Sequence, residues 1–462
     1  MNLPNSFLER MKGILPKDFP LFLSALESQS AVRAIRLNED KIDASTFFAA
    51  LEEDWKPVPY AKCGFYTDYE KIGNHPLHHA GAFYVQDPGA MATVHALSVE
   101  RGWRVADLCA APGGKSTQLS ALVGEDGFLL SNEISVARCK VLAGNLERLG
   151  TRNAVLTNTD IKTFASRYCA YFDLVLVDAP CSGEGMFRKY DYAVEEWSED
   201  RVLACAERQN EILALAATAV KGGGYLLYST CTFSLEENEM VIDRFLTENE
   251  AFTVVPVLQE LRAATADGIP FPGCRYPEAL VLARRFYPHL SPGEGQFICL
   301  LRRADEGTEE SISYRDTSEK LSKQELESVE SFLKSVLRPE AFKGILPKFN
   351  IRKVKESVCL VPKDFPIPPY GVYLCGVTIG SLVKGRIVPH HQFFSAFGKY
   401  FSRTLAMDLC DDRLRQYLHG DTVPCDLSDG YAVVAVCGCA LGGVKVVSGV
   451  AKNHYPKGLR LS

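Results

Sequence analysis

The chain reads as an α/β protein with a parallel sheet covered by helices on both faces, followed by a smaller β-rich region. Three observations predict this. Its 462 residues exceed one compact core and ask for two to four domains at about 150 residues each. From Arg104 onward, short apolar runs alternate with segments of helical periodicity, the pattern of strand, crossover helix and parallel strand. Beyond Phe365 the pattern changes to short strands broken by glycine turns.

Taken in order, residues 1–85 hold two helical stretches, SFLERMKGIL and DASTFFAALEEDW, separated by prolines, and predict a small mixed domain or cap. RVADLCA, GFLLSNE, AVLTNTD, FDLVLVDAP and GGYLLYSTC are predicted strands; SVARCKVLAGNLERLG and SEDRVLACAERQNEILALAATAV are predicted helices between them. FTVVPV and GQFICLLRR add two strands and close this domain near Arg303. The acidic, polar stretch ADEGTEESISYRDTSEKLSKQELESVES predicts a linker running into a helix. YGVYLCGVTIGSLVKGRI and GYAVVAVCGCALGGVKVVSGVAKNHYPKGLRL predict a small barrel. The expected segments are therefore 1–85, a cap; 86–303, the α/β domain; 304–365, a linker and intermediate region; and 366–462, the β-rich domain.

Composition narrows the function classes. The amino terminus lacks a basic region followed by an apolar core, and no apolar run approaches the ~18 residues of a membrane span, so a cytoplasmic enzyme with no membrane partner is expected. Fifteen cysteines without regular spacing point to free thiols rather than a disulfide framework. Net charge is 51 − 57 = −6, yet residues 343–462 carry sixteen Lys and Arg against eight Asp and Glu, a local +8 that leaves −14 for residues 1–342. That asymmetry marks the carboxyl-terminal part as a candidate nucleic-acid surface; a basic domain without such a ligand is the plainer alternative.

The first predicted strand runs into DLCAAPGGKSTQL. Small residues and paired glycines there let a ligand approach the backbone, and the following helix presents unpaired N–H groups. The dinucleotide fingerprint is absent, and a phosphate-binding P-loop would need glycine where Cys109 stands. Acidic residues recur at strand ends: Asp107, Glu133, Asp160 and Asp178. A carboxylate closing the second strand suits ribose hydroxyls, Asp160 suits an adenine amino group, and the set favours a cationic ligand over phosphates. S-adenosylmethionine fits that description. Taken singly, each acidic residue is equally a helix cap or a solvated loop residue.

Neighbouring parallel strands bring Cys181, in DAPCSGEG, and Cys231, in YSTCTF, toward the same crevice. A strand-end cysteine standing alone is more often a packing residue than a nucleophile. A reactive thiol needs an electropositive or hydrogen-bonding setting, which Thr230, Thr232 and a helix beginning at a Ser234–Glu237 capping box are expected to supply to Cys231.

DLCAAPGGKS, Glu133 with ISVARCKVLAGNLERLG, TNTD, LVDAPCSGEGMFRK and YSTCTFSLEENE together resemble the RNA cytosine-5 methyltransferases of the NOL1/NOP2/Sun (RsmB/NOP) family, and in particular its bacterial branch acting on 16S ribosomal RNA. FYVQDPGAM, at residues 83–91, stands where the family more often shows QEASSM. The resemblance implies a class I S-adenosylmethionine-dependent methyltransferase fold with a Rossmann-like, mostly parallel seven-stranded sheet. It further implies an amino-terminal RNA-binding cap and a carboxyl-terminal PUA-like domain. It assigns the cofactor to Cys109, Ala110, Ala111, Pro112, Gly113, Gly114, Lys115, Glu133, Asp160 and Asp178. It makes Cys231 the nucleophile and Cys181 the residue that assists release, with Asp178 also against the base. RNA, as 16S rRNA or the 30S subunit, is the implied partner, a monomer is expected, and no metal is.

Other readings stay open on sequence alone. DNA cytosine-5 methyltransferases use a Pro-Cys thiolate, which would make Cys181 the attacker, although the Thr-Cys of the next strand belongs to the RNA enzymes. An amino-directed methyltransferase would carry Asp/Asn-Pro-Pro-Tyr in place of Asp-Ala-Pro-Cys. A tRNA substrate, or an idle RNA-binding assembly factor, would share most motifs. Cys425, Cys437 and Cys439 lack the paired spacing of a zinc site, and His78/His79 and His390/His391 are expected as surface or packing residues.

Overall fold

The structure, a computed structural model, describes every residue except 1–2, 29–30, 306, 308–309, 364, 366 and 462. Part of the expected linker and the first residue of the segment 366–462 thus lie outside the described residues. The central sheet contains β1 (Arg104–Asp107), β2 (Phe128–Asn132), β3 (Ala154–Thr157), β4 (Phe172–Asp178), β5 (Val220–Thr230), β6 (Gln296–Arg303) and β7 (Val372–Cys375). Their order is β6-β5-β4-β1-β2-β3-β7. The five strands from β5 to β3 are parallel, and β6 and β7 flank them antiparallel. Arg284–Phe286, Ala266–Asp267 and Phe252–Val254 widen the sheet beyond β6 to ten strands, three more than expected.

Successive side chains of a strand point to opposite faces, and here each face has its own core. Ala106, Leu130, Val155, Val175 and Val177 pack on one side with helices α4 (Glu199–Ala217) and α5 (Glu239–Glu248), through Leu213, Ala216, Ile242 and Phe245. Val105, Leu129, Leu156, Leu174 and Leu176 pack on the other with α1 (Gly114–Val123) and α2 (Val136–Arg148), through Leu119, Leu142 and Leu146. Two-sided burial is why these strands read as continuous apolar runs. Short α3 (Ile161–Ala165) follows β3.

Strand β7 lies in the segment whose strands read as barrel, yet it hydrogen-bonds to β3, with Val372 opposite Thr157 and Cys375 opposite Val155. It covers the row of backbone groups that would otherwise leave β3 an open edge. The remaining carboxyl-terminal strands form a four-stranded sheet, Phe349–Val354 to Arg386–Pro389, and a five-stranded sheet around Gly430–Val436 and Cys439–Val447. Helix Lys323–Val336 opens this region behind a capping box of Ser322 and Glu325.

At the amino terminus a three-stranded antiparallel sheet, ordered Gly64–Tyr66, Ala34–Leu37, Phe83–Val85, shares a core with the last β-sheet: Ile35, Leu37, Phe47 and Phe83 pack with Leu405, Val434, Leu441 and Tyr455. The two helices Asn5–Ile14 and Phe19–Ser28 go elsewhere. Phe7, Met11 and Phe22 join Phe187, Trp197, Phe233 and Tyr287, which belong to the loops at the carboxyl ends of β4 and β5 and to the chain leading into β6. Among the described residues no helix is long and apolar enough to cross a membrane.

Candidate active site

The carboxyl ends of the parallel strands place four carboxylates and two thiols along one rim. Asp107 ends β1; its Oδ2 accepts from Ser116 Oγ at 2.6 Å, while its buried Oδ1 has no partner. Burial, aided by the charge of Asp178, pushes its carboxyl up to about 7. The turn that follows is held through its backbone: the Ala110 N–H donates to the Asn132 carbonyl at 3.1 Å, Arg138 donates to the Ala111 carbonyl at 2.6 Å and Asn145 to the Pro112 carbonyl at 2.9 Å. Gly113, with φ at 113°, starts α1 in a conformation an L side chain rarely adopts, and a Cβ there would lie 2.7 Å from Leu142 Cδ1. Beside these, Gly114 leaves room for Tyr84 and Gln86, whose atoms a Cβ would meet at 3.3 Å.

Glu133, just past β2, is buried. Its Oε1 accepts the Ser135 N–H at 2.9 Å; Oε2 lies 3.2 Å from Arg138 Nη1 in an ion pair but receives no aligned hydrogen bond. The Cys109 thiol sits among Asp107, Asp178 and Glu133; burial and these charges push it up, so it stays protonated. Asp160 is exposed and caps α3, accepting from the Thr163 N–H at 2.9 Å and its hydroxyl at 2.7 Å. The helix-cap alternative therefore holds for this residue, whatever else it binds.

Strands β4 and β5 pair in parallel with Asp178 opposite Ser229, and this register puts their carboxyl-terminal turns side by side. Cys181 Sγ and Cys231 Sγ are 3.2 Å apart, and neither residue is fully buried. The contact with Cys231, together with burial and the charges of Cys231 and Glu237, pushes the Cys181 thiol well above its ordinary value, which favours its protonated form. Asp178 accepts from Lys115 Nζ at 2.8 Å and from Ser229 Oγ at 2.7 Å. Burial opposes the charge of Lys115, but Asp178 outweighs it, and the proximity of Cys231 adds to the same effect. Lys115, assigned on sequence to the cofactor, is thus held at the rim by Asp178.

Two expectations about the surroundings of Cys231 are corrected. Ser234 and Glu237 form no capping box: α5 begins at Glu239 behind Asn238, with no side-chain cap. The Glu237 carboxylate is drawn away by the Ser182 N–H and Gln209 Nε2, each at 2.9 Å. Nor do the threonine hydroxyls turn to the thiol. Thr230 donates to Asn238 Oδ1 at 2.6 Å, and Thr232 bonds Glu184 and Ser182 at 2.9 Å each. What sequence reading passed over is Glu184, which accepts from Trp197 Nε1 at 3.0 Å and from the Phe233 N–H at 2.9 Å. Its signal was an acid directly after the Ser-Gly of DAPCSGEG, where a solvated loop residue reads equally well. The two turns also touch through backbone, the Gly185 N–H donating to the Cys231 carbonyl at 2.9 Å; a Cβ on Gly185 would lie 2.9 Å from that oxygen.

Among the described residues no group of three His, Cys, Asp or Glu is placed to hold a metal. His391 is buried and His79 Nδ1 meets the Tyr455 hydroxyl at 3.3 Å.

Comparison with known proteins follows the same division of the chain. Residues 94–302 match the family described as 16S rRNA methyltransferase RsmB/F, residues 3–88 the N-terminal domain of 16S rRNA methyltransferase RsmF, and residues 404–461 the RsmF PUA domain. The ribosomal RNA small subunit methyltransferase F of Vibrio vulnificus is 31% identical over 481 residues, spanning 99% of this chain and 97% of its own. That of Serratia proteamaculans is 35% identical over 313 residues, 65% of this chain and 63% of its own. A methyltransferase homolog protein from Pyrococcus horikoshii is 28% identical with a TM-score of 0.54 over 65% of this chain and 95% of its own. NSun6 from Pyrococcus horikoshii, solved with SFG, shares the fold at 22% identity, with a TM-score of 0.55 over 66% of this chain and 99% of its own.

Proposed function

The chain belongs to the RsmB/RsmF family of 16S rRNA methyltransferases, and from that premise we propose that it methylates carbon 5 of cytosine in 16S rRNA, with Cys231 as nucleophile and Cys181 assisting release. The observation that carries this reading is the pair of thiols 3.2 Å apart at the tips of adjacent parallel strands.

The residues on the rim fit S-adenosylmethionine. Asp107 Oδ1 and Glu133 Oε2 are buried acceptors without hydrogen-bond donors, and a ligand rich in hydroxyl and amino groups supplies them. Glu133 suits the ribose, Asp160 the adenine amino group, and the turn from Cys109 to Lys115 brings bare backbone to the ligand. When bound, the cofactor supplies an electrophilic methyl group.

Carbon 5 of cytosine is a poor nucleophile. Addition of the Cys231 thiolate to C6 forms a C–S bond and moves the electron pair of the C5–C6 double bond to C5, which can then take the methyl. Asp178, held by Lys115 and Ser229, faces the base edge. Loss of the C5 proton to a general base, a release step that Cys181 assists, expels the Cys231 thiolate and restores the double bond. In a helical RNA the target base must leave its stack to reach the rim.

We assign residues 86–303 to this chemistry, and 1–85 and 366–462, joined through 304–365, to holding RNA. Lys355, Lys384, Arg386, Lys445, Lys452 and Lys457 are exposed on the carboxyl-terminal region, in keeping with a polyanionic partner.

The test is incubation with labelled S-adenosylmethionine and unmethylated small-subunit RNA, followed by bisulfite mapping. Wild type should label 16S rRNA; Cys231→Ser should abolish transfer, and Cys181→Ser should accumulate a covalent protein–RNA adduct. Reversed phenotypes would reverse the roles, and labelling of tRNA alone would move the substrate.

A further inference from the structure

Four buried oxygens link the turn of Cys181 to the turn of Cys231, and the mechanism above uses none of them. Glu237 Oε1, Ser182 Oγ, Thr232 Oγ1 and Glu184 Oε2 follow one another in a chain of hydrogen bonds: Glu237 to Ser182, Ser182 to Thr232 at 2.9 Å, and Thr232 to Glu184 at 2.9 Å. Three links require three protons, and the two hydroxyls supply two. With both carboxylates ionised, each hydroxyl would donate outward and leave Ser182 Oγ and Thr232 Oγ1 in contact with no hydrogen between them. A single carboxyl proton closes the chain.

The surrounding N–H groups decide where that proton sits. On Glu184 both oxygens already receive one: Trp197 Nε1–H on Oε1 at 3.0 Å and the Phe233 N–H on Oε2 at 2.9 Å. On Glu237 both donors, the Ser182 N–H and Gln209 Nε2, fall on Oε2 at 2.9 Å each, and Oε1 meets only the Ser182 hydroxyl. The chain therefore runs from Glu237 Oε1–H to Ser182, from Ser182 to Thr232 and from Thr232 to the Glu184 carboxylate. Thr232 Oγ1 then accepts from Ser182 and from the Ser234 N–H at 3.3 Å, within its two acceptor sites.

We propose that Glu237 is a positioning residue held in its acid form, whose proton closes a clasp between the two cysteine-bearing turns and so sets the spacing of the thiols. The role in methyl transfer rests on the cytosine-5 reading; the placement of the proton does not. Burial pushes both carboxyls up, Glu237 to about 7, with the charge of Glu184 contributing. The other groups facing the clasp are Arg10, whose charge reaches Glu184, Cys181 and Cys205 beside Glu237, and Tyr228 and Tyr287. Arg10 also pairs with Glu236 at 2.6 Å. The proton is accordingly lost as pH rises through neutrality, and the clasp opens.

Glutamine at 237 reproduces the acid form: its amide N–H replaces the proton toward Ser182, and its oxygen accepts the two N–H groups. Glutamine at 184 forces an NH2 against the Trp197 or the Phe233 N–H. Glu237→Gln should hold methylation within about twofold of wild type at neutral pH and keep it into the alkaline range where wild type declines. Glu184→Gln should lose at least about tenfold, as facing buried donors cost. If Glu184→Gln does not fold, Thr232→Val cuts the same chain without touching a carboxylate. It should cost comparable activity and let Glu237 lose its proton at lower pH.

Difference infrared spectra between acid and alkaline protein read the proton directly. Asp107 and Glu147, also raised to about 7, keep bands of their own, so the band that reports the clasp is the one lost on Glu237→Gln: it should titrate near neutrality in wild type and in Cys231→Ser and be absent from Glu237→Gln. A missing band, or equal losses from the two glutamine substitutions, overturns the proposal. The band without methylation of any RNA would refute the reaction and support the clasp.

Discussion

Replacing Phe7 by alanine should loosen the active site from a helix that touches no catalytic group. Phe7 is fully buried, with its ring 5.0 Å from Phe187 and 5.9 Å from Trp197, both edge-on. Phe187 stands six residues past Cys181, and Trp197 donates to Glu184. Truncation of a buried phenylalanine costs about 3–5 kcal/mol. The Arg10–Glu236 ion pair, with both side chains roughly a quarter exposed, returns at most about 1 kcal/mol. A ten-residue helix is too short to persist undocked, since isolated helices below ~12–15 residues are marginal in water. The loss should therefore appear as local opening, with the helix Asn5–Ile14 released while the two cores of the central sheet stay closed. Hydrogen exchange should quicken in residues 5–14, 182–190 and 231–238 and remain slow in β1 to β4. Turnover should fall several-fold with little change in cofactor affinity, because the turn from Cys109 to Lys115 lies outside this cluster. Unchanged exchange at 182–190 in a protein whose amino-terminal helix has come loose would refute the coupling.

Two further outcomes are expected. Neutralising Lys355, Lys384, Arg386, Lys445 and Lys452 should weaken RNA binding and reduce its salt slope by about one unit for each phosphate no longer neutralised, leaving cofactor affinity intact; an unchanged slope would remove this face from the RNA interface. Point substitutions are the right tool, because deleting residues 343–462 would strip β7 from the sheet and Cys359, Val361 and Cys375 from its core. Asp107→Asn should stabilise the protein above neutral pH and not near pH 4. The folded carboxyl, raised to about 7 from 3.8, favours folding below its unfolded value and loses that contribution as pH rises through about 7. Three pH units correspond to at most about 4 kcal/mol, read from thermal midpoints across pH; a midpoint difference independent of pH would contradict a raised Asp107 carboxyl.

Local patterns carried much of this far. The apolar runs of β1 to β6 and the periodicity of α2 and α4 each follow from a side chain's immediate neighbours and the face it must bury. The succession of strands put Asp107, Glu133 and Asp178, and the two cysteines, at one rim before any contact was known. Where local reasoning failed, a distant partner had won. Ser234 and Glu237 carry the spacing of a capping box, but Ser182 and Gln209 offer the Glu237 carboxylate better-placed donors than its own backbone. Tyr370 to Cys375 reads like the strands around it, and only the open edge of β3 explains why part of it leaves them.

By itself, then, the sequence determined the sheet, its helices, the chemistry of its strand ends and the family, because those depend on short-range order and on which residues occur together. Only the tertiary structure decided that the amino- and carboxyl-terminal regions share a core, that Lys115 pairs with Asp178, and that Glu184 and Glu237 join the turns of the two cysteines. Those facts rest on contacts between residues far apart in the chain, and proximity of that kind exists only once the chain has folded.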